Sequence, residues 1–133
     1  MSLKKLDGLG GDVIERLKTA GIRTSGKLLD AAKSLKGRKE LSRKTGIDPK
    51  RLLRYANIAD KLRVKGLGQG YAELLCHVGV DTVKELKYRN PDKLAAAMRK
   101  KNEKLKLVRL VPTEKAVGRW IEAAKKLPQE ISY

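Results

Sequence analysis

Residues 64–75 read VKGLGQGYAELL, and residues 6–17 read LDGLGGDVIERL. An offset of 58 carries Gly8-Leu9-Gly10 onto Gly66-Leu67-Gly68, and the likeness runs on past the glycines. Glu15 falls on Glu73, Leu17 on Leu75, Gly21 on Gly79, Thr24 on Thr82 and Leu28 on Leu86, so 8 of the 25 positions from 5 to 29 are identical without a gap. Conservative pairs such as Lys5/Arg63, Leu6/Val64 and Ile22/Val80 fill the intervals. A repeat at fixed spacing speaks to architecture before any motif is named.

Outward from the glycines the chain reads as helical throughout, being rich in Leu, Ala, Lys, Arg and Glu and nearly free of β-branched alternation. Each repeat opens with the glycine turn and a helix, about Gly11–Ala20 and Gln69–Val78, closed by Gly21 or Gly79 at the left-handed position after a helix end. Thr24 and Thr82 then read as N-caps, the latter in the capping box Thr82-Val83-Lys84-Glu85, of short helices near Ser25–Ala32 and Val83–Tyr88. Helices follow over Lys36–Thr45 and Pro91–Asn102, the second capped by Asn90. At an offset of 65, the helix Pro49–Arg63 corresponds to Glu114–Lys126, with Tyr55 on Trp120 at core spacing. The second copy thus carries an expansion of about seven residues around Lys101–Val111.

The expected fold class is all-α: one compact domain, 1–133, made of repeats 1–62 and 63–128 with a short tail 129–133. The first glycine turn is preceded by only Ser2–Leu6, too short to hold a helix alone. Glu114–Lys126 is expected to pack against the N-terminus and close a pseudo-two-fold bundle.

Charge narrows the partners. Lys and Arg outnumber Asp and Glu by 32 to 15, a net +17 spread over both halves rather than gathered in a tail. Such a surface suits nucleic acid first and an anionic membrane second. No apolar run approaches the length of a membrane span and no signal-peptide core opens the chain, which reads as cytoplasmic. One cysteine, Cys76, and one histidine, His77, give no internal disulfide and no metal site, and no cofactor is expected. Carboxylates are scattered singly, without a Walker loop or nucleophile elbow, so the expectation is a binding protein and no enzyme.

The two strings resemble helix–hairpin–helix motifs, whose usual form is apolar-x-Gly-apolar-Gly-x-x-x-Ala-x-x-apolar. The second copy fits throughout, with Val64, Gly66, Leu67, Gly68, Ala72 and Leu75; the first departs at Ile14, where the small alanine belongs. LKTAGIRTSGKLLD, residues 17–30, is locally similar to the C-terminal domain of the bacterial RNA polymerase alpha subunit. End to end, the chain most resembles an uncharacterised bacterial family of tandem helix–hairpin–helix domains of unknown function. The resemblance implies a SAM-like, helix–hairpin–helix architecture in which backbone N–H groups of the turn grip a DNA phosphate without reading bases. The central leucine, Leu9 or Leu67, would anchor the turn.

The candidate DNA-binding residues are Arg63, Lys65, Gly66, Leu67, Gly68, Gln69 and Gly70 at the second turn, and more weakly Lys5, Gly8, Leu9, Gly10 and Gly11 at the first. Asp7 and Asp12 flank the first turn, where a carboxylate supports the helix start but repels a phosphate. Lys36, Arg38, Lys39, Arg99, Lys100, Lys101 and Lys104 are the candidate basic surface. The primary expectation is a sequence-independent grip on duplex DNA, which would place the protein at the nucleoid. The alternatives are a protein–protein interaction or dimerisation module and a structured-RNA binder. A monomer is favoured.

Overall fold

This computed structural model describes residues 2–3 and 9–133. Among them are eight helices and no strand: α1 Gly11–Thr19, α2 Ser25–Ala32, α3 Leu35–Thr45, α4 Pro49–Lys61, α5 Gln69–His77, α6 Val83–Leu86, α7 Pro91–Leu105 and α8 Glu114–Lys125. The all-α expectation holds, and the helices begin where capping chemistry places them. Thr24, Ser34, Asn90 and Thr113 each accept a backbone N–H in the first turn of α2, α3, α7 and α8. Asp48 Oδ1 takes the Lys50 N–H at 2.8 Å at the start of α4, and Glu85 takes the Thr82 N–H at 2.9 Å, the reciprocal arm of the capping box.

The ends of α1 and α5 are the same device. Gly21 and Gly79 take φ of +87° and +90°. Ile22 and Val80 then donate back to the carbonyls of Leu17 and Leu75 at 2.8 and 2.9 Å, closing Schellman turns. Three boundaries differ from expectation. α4 stops at Lys61, two residues before Arg63, where Val64 donates three residues back to Lys61 and begins the turn. α6 stops at Leu86 because Tyr88 and Arg89 donate three residues back, to Glu85 and Leu86, and tighten the chain out of the α-helix. α7 runs a turn past Asn102, since nothing breaks it before Lys106, whose φ of +51° ends it.

The chain forms two compact units. The first comprises residues 1–60 with 130–133, around a core of Leu3, Leu17, Leu28, Ala32, Leu41, Ile47, Leu52 and Tyr55. Its α3 packs on α1 and α2. An isolated bridge joins Ser2 to Thr24, and Leu3 N donates to Arg23 O at 3.3 Å. The last four residues belong to this unit. Ser132 N donates to Lys33 O at 2.8 Å, Lys33 pairs with Glu130 at 3.5 Å, and Ile131 is buried.

The second unit is residues 61–129. Here α8 lies against α7 and α6, and α5 against α7, around Leu74, Leu75, Leu86, Leu94, Met98, Val117 and Ile121. The helix expected to serve the N-terminus is therefore seated in the second unit; most of the segment it was expected to meet, residues 4–8, lies outside the described residues.

Candidate nucleic-acid interface

The second glycine turn is built by two consecutive tight turns. Val64 N donates to Lys61 O and Leu67 N to Val64 O, both at 3.1 Å. Gly66 sits between them at φ +83°, a conformation that side chains strongly disfavour. Val64 and Leu67 are buried, whereas Lys65, Gly66 and Gly68 face solvent. Gly68 occupies the N-cap of α5 with no side chain to satisfy the first-turn N–H groups. An uncapped helix start of this kind offers donors and a positive dipole end to an anion.

Arg63 is half-buried and donates to Pro128 O at 3.0 Å, so part of its guanidinium is committed within the unit. Gln69 and Gly70 are half-buried. A Cβ on Gly70 would stand 3.0 Å from Val108 Cγ1, because the expansion of the second copy folds onto the start of α5. That expansion is braced. The Asn102 side chain donates to Val108 O at 3.0 Å and accepts from Val108 N at 3.1 Å. The Tyr71 hydroxyl donates to Leu110 O at 2.7 Å.

Beside the turn lies a groove of about 570 Å³, all within the second unit. Its lining includes Lys65 and Gly66 from the turn, Tyr71 from α5, Arg119 and Trp120 from α8, and Leu110 from the expansion. The Tyr71 and Trp120 rings stand 5.2 Å apart at 46°. A Cβ on Gly66 would be 3.9 Å from Trp120 Nε1, which brings the indole N–H edge to the turn. Sequence reasoning placed Trp120 in the core, where it is, but did not see the groove. The clue was Tyr71, an aromatic directly after the turn in a chain poor in aromatics.

The first turn is described only from Leu9 onward; Lys5 and Gly8 lie outside the described residues. Leu9 is buried, and Gly10 and Gly11 are exposed at the start of α1. Asp12 pairs with Arg16 at 3.2 Å on the exposed first turn, keeping a carboxylate where a phosphate would have to approach.

Of the basic surface, Lys36 and Lys39 on α3 and Arg99, Lys100 and Lys104 on α7 are exposed, and Lys101 is half-buried. Arg38 is a correction. It is 2% exposed and donates to Ala32 O at 2.9 Å and Ser132 O at 2.8 Å, so it fastens the C-terminal residues instead of facing a ligand. Burial pulls its pKa below the ordinary arginine value, and Tyr133 opposes the shift. Sequence position hides this, because one turn of α3 points Arg38 inward between two solvent-facing lysines.

Cys76 and His77 close α5. His77 is exposed, while Cys76 is half-buried against the Lys61 ammonium. Among the described residues no group of three or more His, Cys, Asp or Glu could hold a metal ion, and no helix is long and apolar enough to cross a membrane.

Residues 7–127 match the model of a family described as a domain of unknown function (DUF4332), and the chain belongs to that family. No curated protein and no solved structure matches it.

Proposed function

We propose that this member of a family of unknown function is a non-enzymatic module that grips duplex DNA through its phosphates. The observation that carries the reading is the turn Lys65-Gly66-Leu67-Gly68. It faces solvent at Lys65, Gly66 and Gly68, is anchored by one buried leucine, and leads into a helix whose N-cap is a glycine with no side chain. The resemblance to helix–hairpin–helix motifs assigns such a turn to backbone contact with phosphate. Lys65 beside it adds a cation, and the exposed Arg99, Lys100 and Lys104 of α7, in the same unit, add positive charge. No base edge is read by these groups, so binding is sequence-independent. The first turn plays the smaller part, given Asp12.

The test is a salt titration of binding to duplex DNA, duplex RNA and single-stranded DNA. Submicromolar duplex-DNA binding is expected, with a slope of log K against log salt of roughly −4 to −7 for five to eight neutralised phosphates. Combining Lys65→Glu with Gly68→Asp should abolish most of that affinity while helicity by circular dichroism persists. Absence of duplex binding, with a mass that grows with concentration, would move the reading to an interaction module.

A further inference from the structure

We propose that the groove beside the second turn is a pocket for one unpaired nucleobase, so that the protein prefers DNA carrying an unpaired nucleotide over a fully paired duplex. The inference rests on the DNA-gripping reading above and names the feature of DNA that the site selects. Three observations converge on it.

The groove has the size and lining of a small-ligand site. Its volume of about 570 Å³ lies within the roughly 300–1,000 Å³ of such sites. A base still stacked in a helix has both faces covered by its neighbours, so only an unpaired base can lay a face on Tyr71. Its lining sets two aromatic rings, Tyr71 and Trp120, among the cations Lys65 and Arg119, a combination suited to a flat ring joined to an anionic backbone.

The aromatic wall is rigid before anything binds. Tyr71 rests against Trp120 on one side, and its hydroxyl is tied to Leu110 O. Leu110 itself belongs to a loop fastened at Val108 by both ends of the Asn102 amide. A stacking surface held in this way loses little side-chain freedom on binding.

Leu110 is 77% exposed on a loop held at Val108 and at its own carbonyl, so its side chain is available to a ligand in the groove. It lines the groove beside Tyr71, whose hydroxyl its carbonyl holds, and so offers apolar contact to a ring laid on the tyrosine. Because Gly66 belongs both to the turn and to the groove's lining, a phosphate seated on the turn brings the next nucleotide beside the groove.

Trp120 is the only tryptophan in the chain, so its emission reports the groove directly. The experiment compares a fully paired short duplex with the same duplex bearing a nick and a one-nucleotide thymine flap. The flap duplex is expected to bind about tenfold tighter, the effect of one stacked base, and to quench Trp120 emission where the paired duplex does not. Tyr71→Ala should bring the ratio of the two affinities to about one, and Tyr71→Phe should keep most of it. Should Tyr71→Ala fail to fold, Leu110→Ser, at an exposed position, is expected to lower the same ratio. Equal affinity for the two duplexes, or equal quenching by both, overturns the pocket while leaving the DNA grip in place. Absence of binding to either overturns the DNA reading and the pocket with it.

Discussion

The Lys61 ammonium lies 2.7 Å from Cys76 Sγ and also donates to the carbonyls of Val80 at 3.1 Å and Asp81 at 2.8 Å. Lys61 is completely buried. It ends α4, and its acceptors are a thiol in the last turn of α5 and two carbonyls of the link between α5 and α6, which lie outside either helix and need a donor. The pairing fixes the entry to the glycine turn against the exit of the helix that the turn starts. Lys61→Ala is expected to cost about 2–4 kcal/mol, from the lost stem and two stranded carbonyls. Lys61→Met, which keeps the volume, should cost roughly half of that, since only the hydrogen bonds go. Urea unfolding followed by circular dichroism gives both values; equal losses for Ala and Met would assign the whole effect to the hydrogen bonds.

The glycines of the second turn separate stability from binding. Gly66 has room for a Cβ but a φ of +83°, so Gly66→Ala strains the backbone and should cost about 1 kcal/mol or more. Gly68 has an ordinary φ of −79° and nothing within 4 Å of a Cβ. Gly68→Asp supplies the missing N-cap and should raise stability by a few tenths to about 1 kcal/mol. The same carboxylate stands where the phosphate is proposed to sit, so DNA affinity should fall by tenfold or more while Tm rises. A rise in Tm with unchanged affinity would place the DNA contact elsewhere.

How far the sequence foretold this depends on how local each determinant is. The caps, the Schellman glycines and the repeat follow from a few adjacent residues, and α1, α2 and α5 fall within a residue of their expected ends. Lys61 and Arg38 escaped because a lysine at a helix end and an arginine within a basic run both read as solvated. In α4 the residues from Ala56 to Lys61 are all buried, so apolar periodicity no longer marks an outer face. Asn57, Asp60 and Lys61 in that stretch were the available clue that polar groups had been drawn inside. The groove was invisible for another reason. It joins residues 65–71 to 110–123 through a loop held by two side chains distant in sequence, Asn102 and Tyr71.

The C-terminal four residues act as a clasp on the first unit. Removing residues 130–133 takes away buried Ile131 and the Ser132 carbonyl held by Arg38, and should cost about 2–4 kcal/mol. Arg38→Ala is expected to cost a similar amount, and the two changes together less than their sum, because each removes the same contact. Ser132→Ala should stay within about 0.5 kcal/mol, since the backbone carbonyl and not the hydroxyl receives Arg38. Chemical unfolding of the four proteins tests the cycle. Strict additivity would mean that Arg38 and the C-terminal residues stabilise the unit independently.

Asn102 supports the groove without lining it. Its side chain is 9% exposed and supplies both the donor and the acceptor that hold Val108. Asn102→Ala leaves the Val108 N–H and C=O without that partner and should cost about 1–3 kcal/mol. Asn102→Asp keeps the acceptor and loses the donor, setting a carboxylate against the Val108 carbonyl, so it is expected to cost at least as much at neutral pH. In either variant the loop is loosened at Val108, while Tyr71 still holds Leu110 and the turn at Gly66 keeps its own hydrogen bonds to Lys61 and Val64. Hydrogen exchange should therefore accelerate at Val108 with little change at Leu67. Faster exchange at both sites would mean that the loop and the turn form one cooperative element.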